Sequence, residues 1–138
     1  MMTDSCKVLM IFPRFNANSF WNYQEACDLA GARYPAAPLG LITVAALLPA
    51  DWDVRLVNRN TEELEDADLA WADIVMTGGM LPQRNDTLHI IAMCRACDKP
   101  VVVGGPDVTS SPALYSAANF QVLGEAEEIM VDFIAAWR

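Results

Sequence analysis

Histidine is nearly missing from this sequence, and positive charge is thin. His89 is the sole histidine in 138 residues, which excludes a metal site built from several imidazoles. Nine Lys and Arg stand against eighteen Asp and Glu, a formal net charge of −9, and the nine are scattered along the chain. A groove that neutralises phosphates needs clustered basic residues, so no nucleic-acid partner is expected. Long apolar runs are absent as well, and nothing approaches the roughly 20 residues of a membrane span. The start carries an acid, Asp4, and the short apolar stretch that follows ends at Pro13 and Arg14, which is not the pattern of a signal peptide. The expected compartment is the cytoplasm.

The four cysteines do not form a disulfide framework. Cys6, Cys27, Cys94 and Cys97 are widely spread in a chain long enough to bury a core without bridges. Cys94 and Cys97 make a CxxC inside a helical pattern, with no second pair elsewhere, and read as ordinary core packing. The composition, 54% hydrophobic and 20% charged, is that of one globular domain, and no repeat or low-complexity segment divides it.

What is present is a series of short, solid apolar runs that alternate with helical patterns. Lys7 to Phe12 is the first, closed by Pro13, and reads as a strand buried on both faces. Val54 to Val57, Ile74 to Thr77, Val101 to Val103 and Phe120 to Leu123 follow. Arg14 to Ala37 shows no sustained period and is long for a connection, a feature more common in functional loops. Pro38 then opens a helix with Leu41, Val44, Ala45 and Leu48 on one face, and Pro49 ends it. Pro82 starts another, with Leu88, Ile91 and Cys94 three apart. The last helix carries the cleanest stripe: Ile129, Met130, Phe133, Ile134 and Trp137. Five strands with five helical segments predict an α/β, flavodoxin-like (Rossmann-like) doubly wound parallel sheet of order 2-1-3-4-5, as one domain over residues 1–138.

Ligands of such sheets bind outside the carboxyl ends of the strands. Four features fall there: Pro13-Arg14 with the long loop, Thr77-Gly78-Gly79-Met80, Gly104-Gly105-Pro106 and Gly124-Glu125. Three of the four carry glycine, which lets a ligand approach the backbone without a Cβ in the way. The identity of the ligand is narrowed by what these loops lack. No GxxxxGK[ST] phosphate loop is present, and Pro-Arg-Phe-Asn-Ala-Asn stands where a dinucleotide fingerprint would need GxGxxG. The acid pair and lysine of a receiver domain and the hydroxyl-rich phosphate loop of a flavodoxin are missing too. No His–Asp–nucleophile set exists. Asp107 and Glu125, the acids near the strand ends, read as helix-capping or backbone-binding groups.

Several of these segments, in order along the whole chain, resemble the N-terminal cobalamin-binding domain of B12-binding radical-SAM proteins. They are Pro38-Leu39-Gly40-Leu41, Ala72-Asp73, Gly104-Gly105-Pro106 and Gly124-Glu125-Ala126-Glu127. Phe20-Trp21 and the run Leu64 to Asp73 are most similar to the subgroup containing hopanoid C-2 methylases. The anaerobic magnesium-protoporphyrin monomethyl ester cyclases form a related subgroup. The resemblance implies a cobalamin whose corrin lies over the carboxyl edge of the sheet and whose nucleotide tail passes down beside the strands. Thr77 and Gly104-Gly105 would line that tail, with Gly78, Gly79, Met80 and Gln83 facing the same channel and Pro106, Gly124 and Glu125 on the same edge. Arg14 and Trp21 would approach the corrin from the long loop.

Two departures from cobalamin proteins at large qualify the resemblance. The DxHxxG motif that supplies a cobalt-ligating histidine is absent, and His89 lies inside a helix, so no histidine lower ligand is expected. The CxxxCxxC that would hold a 4Fe-4S cluster for S-adenosylmethionine is absent as well. Both groups are therefore expected in a radical-SAM catalytic domain elsewhere in the same polypeptide, with this chain an N-terminal fragment that is non-catalytic alone. The implied reaction is methyl transfer to an unactivated carbon, in a hopanoid-like lipid as the specific expectation. The cyclase-type role and a nucleotide- or flavin-binding protein of the same fold remain the alternatives.

Overall fold

The computed structural model describes residues 5–16, 24–31 and 36–137. Five strands, β1 (Lys7–Phe12), β2 (Asp53–Asn58), β3 (Ile74–Gly78), β4 (Val101–Gly104) and β5 (Phe120–Val122), form one sheet of order β2-β1-β3-β4-β5. Every pairing is parallel. Around the sheet lie α1 (Gln24–Ala30), α2 (Leu39–Leu47), α3 (Asp66–Trp71), α4 (Arg84–Ala96), α5 (Pro106–Ser110) and α6 (Ala126–Trp137). The expected order holds. The chain lays β2 on one side of β1 and β3 to β5 on the other, so the switch point is between β1 and β3.

Strand pleating sorts the apolar residues into two cores. Val8, Met10, Phe12, Ile74, Met76, Val102 and Val122 face the layer made by α2 and α6, where Leu41, Leu48 and Met130 are buried with them. Leu9, Ile11, Val75, Val101 and Val103 face the opposite layer, against Leu69, Ile90, Ile91, Cys94, Val108 and Tyr115. Both faces of the central strands are thus covered, which is why β1, β3 and β4 read as unbroken apolar runs. The edge strand β2 differs: Arg55 and Leu56 are exposed, and the Arg55 guanidinium lies 4.0 Å above the Trp71 ring. The stripe expected for the last helix packs as read. Phe133 meets Phe120 edge-on at 5.4 Å and stacks beside Trp137 at 6.3 Å, fixing α6 to β5.

Three local expectations need correction. The described residues hold six α-helices, the additional one being α1 within the segment expected to be loop. At seven residues, with only Cys27 buried among its described side chains and Leu29 91% exposed, α1 is too short to show a period. Pro82 lies in a 3₁₀ turn (Leu81–Gln83) that precedes α4, and Pro38 occupies the cap position before α2. Half of the CxxC is core packing: Cys94 lies inside and Cys97 does not. Cys94 is fully buried, which pushes its thiol up to about 12, and Cys97 is exposed. Among the described residues no His/Cys/Asp/Glu group could hold a metal, and no helix is long and apolar enough to cross a membrane.

Neighbouring residues on α6 test this packing. Met130 is 1% exposed and Val131 is 67% exposed. Truncating Met130 to Ala is expected to cost roughly 2–5 kcal/mol, and Val131→Ala less than about 0.5 kcal/mol, both measured by urea denaturation. Equal losses would mean that α6 is not docked as described.

Candidate functional site

The carboxyl edge of the sheet is organised by the approach of β3 to β4. Gly78 and Gly104 are register partners. Gly78 has φ +152°, and a Cβ there would lie 1.9 Å from the Gly104 carbonyl oxygen. The loops beyond them remain in contact. A Cβ on Gly105, at φ +100°, would come within 3.2 Å of the Gly79 nitrogen. The Asp107 amide donates to the Gly79 carbonyl at 3.2 Å.

Above these loops, between the sheet edge, α2 and the start of α6, opens a cavity of about 590 Å³. That lies within the roughly 300–1,000 Å³ typical of small-molecule sites. Thr77, Gly78, Gly79, Met80, Gln83, Gly104, Gly105, Pro106, Gly124 and Glu125 all line it, so the structure brings together ten of the residues singled out in the sequence. Arg14 is not among them. Its amide donates to Asp86 Oδ2 at 2.7 Å and its Nε to the Arg59 carbonyl at 3.2 Å, on the far side of the β1 loop. Trp21 lies outside the described residues, as does Phe20.

Two of the lining residues do something other than expected. Thr77 is in register with Ile11 and Val103, residues of the core under α3 to α5, so pleating aims its side chain away from α2 and α6. Its hydroxyl donates to the Ile11 carbonyl at 2.7 Å, a tie between strands at the switch point. Gln83, 1% exposed, is a clamp. Its Nε2 donates to the Pro13 carbonyl at 2.8 Å and its Oε1 accepts from the Met80 amide at 3.0 Å. The loop after β1 is thereby fastened to the loop after β3. Asn60 and Asp86 fasten it again: the Phe15 amide donates to Asn60 Oδ1 at 3.0 Å, and Arg59 holds Asp86 at 2.9 and 3.1 Å.

Other wall residues passed as core in the sequence. Phe12, Leu41, Val44, Met76, Val102, Val122 and Met130 all border the cavity. Their periodicity places them on the α2/α6 face but cannot show that nothing covers them at its upper end. Gly40 is the informative omission. It lines the cavity from α2, and a Cβ built on it meets no atom within 4 Å.

Asp107 corrects the reading of it as a cap. Its carboxylate accepts two bonds from Arg84, Nε at 2.8 Å and Nη2 at 2.7 Å, and one from the Tyr115 hydroxyl. This pairs the first turns of α4 and α5 directly behind the glycine loops. The Arg84 guanidinium, helped by Tyr115, holds the Asp107 carboxyl below its usual range. Burial, reinforced by the carboxylate, pushes the Tyr115 hydroxyl up. A depressed carboxyl stabilises the fold fully above its unfolded pKa of about 3.9 and stops doing so as pH falls through the lower folded value. Asp107→Asn is expected to cost about 1–3 kcal/mol at pH 7. In denaturation at pH 7, 5 and 3 the gap from the parent should persist to pH 5 and narrow below about 4. A gap independent of pH would mean that the ion pair is not its source.

Comparison with known proteins fits this geometry. The family model for the B12 binding domain matches residues 27–134, which include the cavity-forming α2, β3 and β4 and most of α6. An uncharacterized methyltransferase of Synechocystis sp. is 39% identical over 132 residues, covering 94% of this chain and 24% of the relative. The hopanoid C-2 methylase of Rhodopseudomonas palustris is 35% identical over 134 residues, covering 95% of this chain and 25% of the relative. The chain thus spans about a quarter of the length of these curated relatives. With the sheet order, the glycine-lined edge and the matched span in agreement, the chain belongs to the B12-binding domain family.

Proposed function

We propose that this chain binds cobalamin through the cavity at the carboxyl edge and presents it to the catalytic domain of a larger radical-SAM methyltransferase. The observation that carries the reading is the cavity itself: glycine loops on one side, apolar side chains within, open at the switch point. Gly78, Gly79, Gly104 and Gly105 offer backbone to a polar tail without a Cβ between. Phe12, Val44, Met76, Val102 and Met130 keep water from the groups they enclose. When bound, cobalamin supplies a cobalt centre that carries and gives up a methyl group.

The chain offers that cobalt no imidazole from the cavity. His89 is exposed on α4, which packs on the face opposite to α2 and α6. This chain would therefore hold the cofactor without contributing a histidine to its metal. The names of the relatives support a methyl-transfer reaction, and one of them names a hopanoid as substrate. Methylation of an unactivated carbon of such a lipid, with the 4Fe-4S cluster and S-adenosylmethionine held in the partner domain, is the reaction we assign to the whole polypeptide.

A visible-absorbance titration with hydroxocobalamin tests the reading. The parent chain and His89→Ala should both retain corrin after desalting, with the same base-off spectrum. Gly40→Phe, whose side chain enters open space and leaves the fold intact by circular dichroism, should bind at least about tenfold more weakly. Retention unchanged in Gly40→Phe would place the ligand elsewhere. A spectrum altered by His89→Ala would overturn the no-histidine assignment.

A further inference from the structure

We propose that Thr109, which lies outside the cavity wall, is a positioning residue whose hydroxyl fixes the start of α6 beside the cavity. Its effect on ligand affinity rests on the cobalamin-binding reading above. Thr109 is an exposed residue of α5. Its Oγ1 donates to the Gly105 carbonyl at 2.9 Å and accepts from the Gly124 amide at 3.0 Å. A hydroxyl has one proton to give, so it donates to one loop and accepts from the other. Gly105 and Gly124 both line the cavity, and both have left-handed backbone, at φ +100° and +86°. One side chain thus joins two parts of the wall from behind.

The loop after β5 needs such a tie because of where it lies. β5 is a three-residue edge strand whose neighbour in the sheet is β4 alone. The loop after β3, by contrast, is bound on both sides, through Gln83 to the loop after β1 and through the Asp107 amide to the loop after β4. Register pairing of β4 with β5 ends at Gly104 and Val122. Beyond that pair, among the described residues, hydrogen bonding between the two loops passes through Thr109. α6 begins two residues after Gly124, and its opening residues Ala126 and Glu127 line the cavity. The later turns of α6 are held by packing: Met130 is buried, and Phe133 meets Phe120 at 5.4 Å and Trp137 at 6.3 Å. The first turn carries Glu127 and Glu128, both exposed, so the bond to Gly124 holds that end. Without it the first turn can pivot about the packed aromatics and alter the width of the cavity.

Three variants of the full 138-residue chain test the proposal. Thr109→Val keeps the branched shape and loses both side-chain bonds, Thr109→Ser keeps the bonds, and Ser110→Ala, at the exposed neighbour, is the control. Amide hydrogen exchange without ligand reads the tie directly. Gly124 should exchange about two- to tenfold faster in Thr109→Val, the loss of one ordinary hydrogen bond, and at the parent rate in the other two. In hydroxocobalamin titrations Thr109→Val should bind about two- to tenfold more weakly, while Thr109→Ser and Ser110→Ala bind as the parent does. A Thr109 that merely steadies α5 would lower the urea midpoint and leave the affinity of the folded chain unchanged. That result overturns the proposal while cobalamin binding stands. Equal weakening in Thr109→Ser would trace the effect to the lost methyl group and overturn it too. If the parent itself retains no corrin, the cobalamin reading fails. Gly124 exchange then still decides the tie: a faster rate in Thr109→Val upholds it and an unchanged rate overturns it.

Discussion

The contact between the ends of β3 and β4 is the constraint on which the rest of the site depends. Two register-paired glycines let the strands finish so close together that a single methyl group at Gly78 would collide with the Gly104 carbonyl. The loops that follow are then near enough for the Asp107 amide to reach Gly79. Arg84, from the start of α4, closes on the Asp107 carboxylate behind them. The floor of the cavity is thus backbone, held at fixed height by a half-buried ion pair that lies outside the cavity wall.

Around that floor the polar groups are spent on one another. Gln83, Asn60, Asp86 and Thr77 tie the loop after β1 to the loops after β2 and β3 and to the start of α4. Every such bond ties the rim, and those of Gln83 also occupy a side chain that lines the cavity. The outcome is a rigid opening with an apolar interior. That suits a large ligand which enters by one end and must stay in one orientation, because little ordering is left to be done on binding.

Much of this was legible in the sequence, for physical reasons that can be named. Strands buried on both faces must be apolar throughout, so β1, β3 and β4 announce a parallel sheet, and a parallel sheet announces where its ligand goes. Gly78-Gly79 and Gly104-Gly105 mark that edge by residue type. Side-chain direction was less accessible. Thr77 reads as a ligand-facing hydroxyl until the register with Ile11 and Val103 shows that pleating turns it away. Asp107 reads as a cap until Arg84, 23 residues earlier, is found beside it. Gly40 is the second residue of α2, legible in the sequence only as part of a motif, and its open surroundings show in three dimensions alone. Arg14 shows the limit most clearly, since its bonds run to Asp86 and Arg59, both remote in sequence.

The central claim is that the ligand enters on the α2/α6 side of the sheet, at the glycine edge. Amide chemical-shift mapping of the isotope-labelled chain during titration with hydroxocobalamin tests it most directly. The account predicts the largest shifts at residues 40–44, 78–80 and 104–105, with His89 and the exposed Arg55-Leu56 edge unchanged. Shifts centred on Arg14, Asn85 and Asp86, or on the face covered by α3, α4 and α5, would contradict it.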